Sequence, residues 1–387
     1  SGLYAEAAAW LIPALITAGR VDDARAVGAD AAAVADGVLA QKPGDRQALF
    51  AQGLIQSSLG DAASSSLQPH EAIPYHLRAV VVQQTLVDFD PGNKINHNNL
   101  ASVLWTLSGT YYAIGAIEDA LATLDSANAS LAIAGEGGAG LKLSQNRLLS
   151  STVDALVEAG QLDRARARAG EMEKLVEELR ASEPEGSLIP LRAEARLRMS
   201  QARIALAEGD SRRAGALSGE ATSIAQNIEV PGGQDTVWRS ALRYESNRQK
   251  AEFELRRGDY AAAEQSARAA KAAREGFSIE PVSDGRQKSD LSTFLALALA
   301  GQGRAADAKA VIDPAVKFSR ELAARNRGDE LQTMELAFAL YAQALTDPAR
   351  RGALLAESRA LLAGLPAPMK SLESVRFWSE RVRQATG

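Results

Sequence analysis

Glycine returns along this chain at the close of one apolar, helix-periodic run after another: Gly19, Gly60, Gly115, Gly160, Gly209, Gly258 and Gly303. Five residues beyond each stand Ala24, Ser65, Ala120, Ala165, Ala214, Ala263 and Ala308, all small. Seven residues before each stand Ile12, Gly53, Ser108, Val153, Ala202, Ala251 and Ala296, most of them small. An eighth unit replaces the glycine with Thr346-Asp347-Pro348 and has Gly352 at the small position. The arrangement has a steric reason. Glycine ends a helix in the left-handed conformation without a side-chain clash. Two antiparallel helices joined by so short a turn cross at roughly 8–10 Å, and small side chains at the crossing permit that approach.

The intervals between these glycines are 41, 55, 45, 49, 49 and 45 residues. Self-similarity at such a period marks a helical repeat array, in which each hairpin buries its apolar face only by stacking on its neighbours. The chain of 387 residues is 46% hydrophobic but only 5% aromatic, which suits close helix packing better than one large globular core. The expected fold is all-α: a right-handed superhelix of about eight antiparallel helix pairs over residues 1–366, with a capping helix in 367–387. Leu372, Val375, Trp378 and Val382 share one face of that last helix. After Gly60 the polar run 61–70 predicts a loop, followed by a helix from about Ile73. Glycine- and proline-rich connectors are expected at Gly135–Gly140, Ser182–Gly186, Pro231–Gly233 and Gly276–Gly285.

The segment Gly258-Asp259-Tyr260 with Ala263 resembles the turn of a tetratricopeptide repeat. Asp88-Phe89-Asp90-Pro91-Gly92-Asn93 is similar to that repeat's closing segment, and Leu107-Ser108 with Tyr111 to its first helix. The resemblance covers about residues 3–365. The family's first-helix Trp is absent at most matching positions, and the period exceeds the family's roughly 34 residues, so helices or connections are longer here.

Composition narrows the functional classes. A net charge of −5 and a pI near 5.5 argue against nucleic acid or an anionic membrane surface as default partner. No apolar run reaches the length of a membrane span. The absence of cysteine removes disulfides, thiol catalysis and cysteine metal sites, and suits an extracytoplasmic compartment as well as any other. The opening Ser-Gly reads as a piece excised from a longer protein.

The sequence offers no catalytic constellation. His70, His76 and His97 have no metal-ligand spacing, and read as solvated or capping residues. The glycines of 135–140 follow a helix rather than a strand, so they are not a phosphate loop. No metal and no cofactor is expected. Four asparagines and His97 in Asn93–Asn99 read as helix caps, with a peptide-binding ledge as the alternative.

What the family resemblance implies is a concave surface lined by the first helix of each pair. Carried onto this sequence, that surface holds Trp105 and Tyr112 beside Gly109, then Arg147, Arg192, Arg196, Arg203 and Arg248 on successive first helices. Guanidinium forks suit carboxylates and phosphates. The alternative is that these arginines pair internally with Asp154, Glu194, Glu245 and Glu252, and that Trp105 is core. The expected function is a non-enzymatic scaffold for a protein or peptide with an acidic or C-terminal carboxylate segment. The second expectation is a sensor module of a larger bacterial signalling protein.

Overall fold

A computed structural model of the chain describes residues 2–65, 68–135, 138–229, 237–325 and 328–385. Among them there are eighteen helices and no strand. In chain order these are α1 (Gly2–Thr17), α2 (Val21–Gln41), α3 (Arg46–Ser65), α4 (Pro69–Phe89), α5 (Lys94–Ala113), α6 (Ile117–Gly135), α7 (Ala139–Glu158), α8 (Leu162–Ser182) and α9 (Leu188–Ala207). They continue with α10 (Ser211–Asn227), α11 (Val237–Arg257), α12 (Tyr260–Arg274), α13 (Pro281–Gly301), α14 (Ala305–Arg325), α15 (Glu330–Ala344), α16 (Arg351–Gly364), α17 (Ala367–Lys370) and α18 (Glu373–Gln384). Consecutive helices pack as hairpins, and hairpins pack on their neighbours.

Six turns are built alike. At Gly258 the backbone takes φ +77°, Gly258 N donates to Leu255 O at 3.1 Å, and Asp259 N donates to Glu254 O at 2.9 Å. This pair of bonds is the Schellman closure, which satisfies the last carbonyls of the outgoing helix. Asp259 then caps the incoming helix, its carboxylate accepting from Ala262 N. The same closure recurs at Gly19, Gly115, Gly160, Gly209 and Gly303. Five residues past these six turns, Ala24, Ala120, Ala165, Ala214, Ala263 and Ala308 are at most 2% exposed.

Gly60 departs from the expectation. It is no turn: α3 runs through it to Ser65, α4 starts at Pro69, and most of the expected loop is helix. Gly60 is buried against His76 of α4, where a Cβ would collide with the imidazole ring. The physical reason is that glycine serves two purposes in a hairpin, turning the chain and letting helices touch. Here it has the second role, and the chain reverses instead between the end of α3 at Ser65 and the start of α4 at Pro69.

Two further expectations shift, and a third is untested. Gly352 is exposed, and the hairpin of α15 and α16 is closed by Leu355 and Ser358, whose hydroxyl donates to Ala337 O at 2.7 Å. Gly285 lies inside α13 against the Phe318 ring rather than in a connector. Pro231–Gly233, like Glu136 and Gly137, lie outside the described residues.

The chain divides into two compact units. The first comprises residues 1–145 with 279–284 and 325–329, and the second the remainder. In the first, Ala5, Ala8, Ile12, Ala24, Ala31, Ala51 and Ile55 form a continuous core across α1, α2 and α3. In the second, Met199, Ala221, Ala225, Ile228 and Leu242 do the same across α9, α10 and α11. The apolar face read from α18 is buried: Leu372, Val375, Trp378 and Val382 are at most 7% exposed.

Candidate functional site

The five arginines expected in the groove all lie in the second unit, on α7, α9 and α11. Each helix carries its charges at helical spacing: Arg147, Asp154 and Glu158 on α7; Arg192, Arg196 and Arg203 on α9; Glu245, Arg248, Glu252 and Arg256 on α11. Gly160, Gly209 and Gly258 are 49 residues apart, so residues 49 apart occupy equivalent places on adjacent first helices. Asp154, Arg203 and Glu252 are one such series, and alternate in sign. Arg147, Arg196 and Glu245 are another, and set two cations side by side.

The alternating series is an internal ion network. Arg203 Nε lies 3.1 Å from Asp154 Oδ1, Nη2 lies 3.5 Å from Glu252 Oε2, and Nη1 lies 3.8 Å from Glu158 Oε1. Glu252 also accepts from Arg256 at 2.7 Å, and Arg256 holds both oxygens of Glu373 on α18 at 2.7 and 2.8 Å. Arg248 donates to Asp290 at 2.5 Å. Burial raises the Glu252 carboxyl, but Arg203, Arg256 and Arg248 outweigh it and bring it to about 2. Burial pushes Asp154 up to about 6 against the pull of Arg203. Arg203 and Arg248, for their part, are raised by their carboxylates against the penalty of burial. Both guanidiniums are therefore engaged by protein carboxylates.

The other series is different. Arg196 meets Glu245 at a long 3.4 Å. Arg192, one turn before it, lies over the Trp238 ring at 4.3 Å, a cation–π contact, and its buried Nε has no hydrogen-bond partner among the described residues. Burial brings Arg192 down to about 10, and the nearby charges that add to that shift are both cations, Arg196 and Arg147. Burial and Arg196 also lower Arg147, with Glu245 opposing them. Glu194, weighed from sequence as a partner, turns the other way and pairs with Arg180 and Arg198. The arginine set thus splits in two: Arg203 and Arg248 sit among several carboxylates, whereas Arg147, Arg192 and Arg196 cluster beside an indole with Glu245 as the carboxylate among them.

Trp105 and Tyr112 stand on α5 in the first unit, both half-buried, with Gly109 exposed between them. The polar run at the start of α5 acts as a cap. Asn93 Oδ1 accepts from Ile95 N and Asn96 N at 3.0 and 3.2 Å, and His97 Nε2 donates to Pro91 O at 3.0 Å. His76 is fully buried. Among the described residues, no group of three His, Asp or Glu side chains is placed to hold a metal ion, and no helix is long and apolar enough to cross a membrane.

Trp238, Arg256 and Glu158 escaped the reading of the sequence. Glu158 and Arg256 could have been found by following the α7 and α11 stripes one turn further. Glu373 and Ser374 carry no such signal, because their partners on α11 and α7 are 117 and 216 residues away.

The repeated Schellman hairpins with buried alanines at their crossings settle the architecture. The chain has a tetratricopeptide-like, all-α helical-repeat fold. No protein-family model matches it, and no curated protein matches it. Among solved structures, it is similar to a tetratricopeptide repeat protein from Parabacteroides merdae at 12% identity and a TM-score of 0.47, over 87% of this chain and 99% of that one. It is also similar to the TPR-like repeats of a putative kinesin light chain from Podospora anserina, at 19% identity and 0.38, over 57% and 96%. Yeast Tom70 aligns at 12% identity and 0.23, over 99% and 96%.

Proposed function

We infer that this helical-repeat chain is a non-enzymatic binding scaffold, and that its second unit receives an acidic or C-terminal carboxylate segment of a protein or peptide on the Arg147–Arg192–Arg196 edge. Arg192 carries the reading. It is a partly buried guanidinium stacked on an indole, lowered by burial and then by two neighbouring cations, and its Nε has no hydrogen-bond partner among the described residues. A carboxylate placed at the solvent-facing side of this guanidinium relieves the repulsion. Trp238 adds an apolar wall for the residue beside it, the combination of aromatic and Arg that dominates interface energetics. Arg203 and Arg248 are held by protein carboxylates, which leaves this edge as the donor.

A peptide library displayed with free C-termini tests this. Selection on the wild-type chain should enrich acidic or carboxylate-terminated sequences. The best of them, measured by calorimetry, should bind about tenfold more weakly to Arg192→Gln and to its own C-terminal amide. Enrichment of neutral sequences that bind Arg192→Gln equally well would remove the assignment.

A further inference from the structure

Charge in the second unit is arranged on two levels. Arg147 and Asp154 on α7, and Arg196 and Arg203 on α9, each lie seven residues apart on their helix. Two turns at 1.5 Å per residue separate the levels by about 10 Å. The floor between them is small and uncharged, with Ser150 Oγ and Ser200 Oγ 3.1 Å apart. The first level is the Arg147–Arg192–Arg196 edge. The second has the opposite sign.

That second level belongs to a network with more carboxylates than guanidiniums. Arg203 touches Asp154, Glu158 and Glu252, Arg256 touches Glu252 and Glu373, and Arg248 touches Asp290, so three cations answer five anions. The shortfall falls on α7. Burial raises the Asp154 carboxyl to about 6, and Glu158 and Glu252 add to the rise against Arg203 and Arg248. Burial raises Glu158 as well, but Glu158 is closed off. It accepts from Ser374 N and Oγ at 3.0 and 2.7 Å, and only 12% of its side chain is exposed. Asp154 keeps 46% of its side-chain surface open. It is the accessible carboxylate of an under-neutralised network, two turns from a cluster of arginines.

We propose that the second unit reads a pair of opposite charges on its partner: a carboxylate on the Arg147–Arg192–Arg196 edge and, three residues away along an extended segment, a Lys or Arg on Asp154. At roughly 3.3 Å per residue, three residues span the distance between the levels. The serines between them leave room for a peptide backbone. The partner's cation supplies the positive charge that the network lacks. A segment with carboxylates at both places meets its own sign at Asp154, so the order of charges selects the partner, not acidity alone. This deepens the scaffold reading and rests on it.

The probe is an N-acetylated, otherwise uncharged peptide with a free C-terminus and Lys three residues before it, titrated into the full chain by calorimetry. Norleucine in place of Lys should weaken binding about fivefold, as should Lys moved next to the terminus. Asp154→Asn should abolish the difference between Lys and norleucine. Wild type should lose the same difference as the solution is acidified through about pH 6, where Asp154 takes up its proton. The groups facing Asp154 are Glu158 on its own helix, Arg203 on α9, and Glu252 and Arg248 on α11. Glu252 and both arginines keep their charges over that range, and protonation of Glu158 acts in the same sense. Equal binding of the Lys and norleucine peptides overturns the proposal, as does a Lys preference that survives Asp154→Asn or acidification, or no binding at all. Amidating the C-terminus separates the two readings. A peptide that loses affinity on amidation yet ignores norleucine overturns the charge pair alone, and one that ignores amidation overturns both.

Discussion

At the scale of single residues, size at a helix crossing decides more than chemistry does. Gly60 looks in sequence like its six counterparts, because a small residue at a turn and one at a crossing give the same letter. Only the partner distinguishes them, and Gly60 meets His76. The imidazole is fully buried, with neither ring nitrogen hydrogen-bonded to a described residue, and burial brings its pKa down to about 4. A histidine lowered in the folded state binds fewer protons there than when unfolded. Its contribution is complete above the unfolded value of about 6.5 and is lost as pH falls toward 4. Asp61 beside Gly60 works with the opposite sign, since burial raises it to about 7. The histidine's share is therefore isolated by difference. Urea unfolding of wild type and His76→Met should show wild type losing on the order of 2–3 kcal/mol relative to the variant between pH 7.5 and pH 4.5. Parallel pH curves would mean that His76 is solvated or hydrogen-bonded.

At the scale of helices, the hairpins were legible because turn closure and crossing are local. Gly258, Asp259 and Ala263 lie within six residues, and each has a steric or hydrogen-bonding reason to be what it is. Leucine at Ala263 or Ala214 overpacks a crossing and should cost about 1–3 kcal/mol in urea unfolding. The same change at Ser65, which is only partly buried at the end of α3, should cost far less. Equal costs at all three positions would contradict the register described here. The charged stripes on α7, α9 and α11 were legible as helical spacing, but their pairing was not. It depends on which turn of one helix faces which turn of the next, and the interval of 49 residues sets that alignment. Once the interval is applied, Asp154–Arg203–Glu252 pairs and Arg147–Arg196 repels. The first turn of α18 was illegible on any local rule, because Glu158 and Arg256 lie more than a hundred residues upstream.

At the scale of the whole molecule, an acidic chain of net charge −5 keeps a small cationic edge in its second unit while neutralising its other groove arginines. Arginines serving only stability would be placed as Arg203 is, between carboxylates. Placing Arg192 beside Arg196 and Arg147 leaves repulsion, which the acidic partner proposed above would relieve. Such binding weakens with ionic strength, since its partly exposed charges are screened within about 8–10 Å at physiological salt. The most direct measurement compares Arg192→Gln with Arg203→Gln, reading both stability in urea and affinity for the selected carboxylate peptide. Arg203→Gln should lose about 3–5 kcal/mol of stability, because it strands buried carboxylates. Arg192→Gln should keep its stability within about 0.5 kcal/mol and lose the peptide. The reverse pattern, with Arg192 supporting the fold and Arg203 the binding, would contradict the division of the arginines on which the functional reading stands.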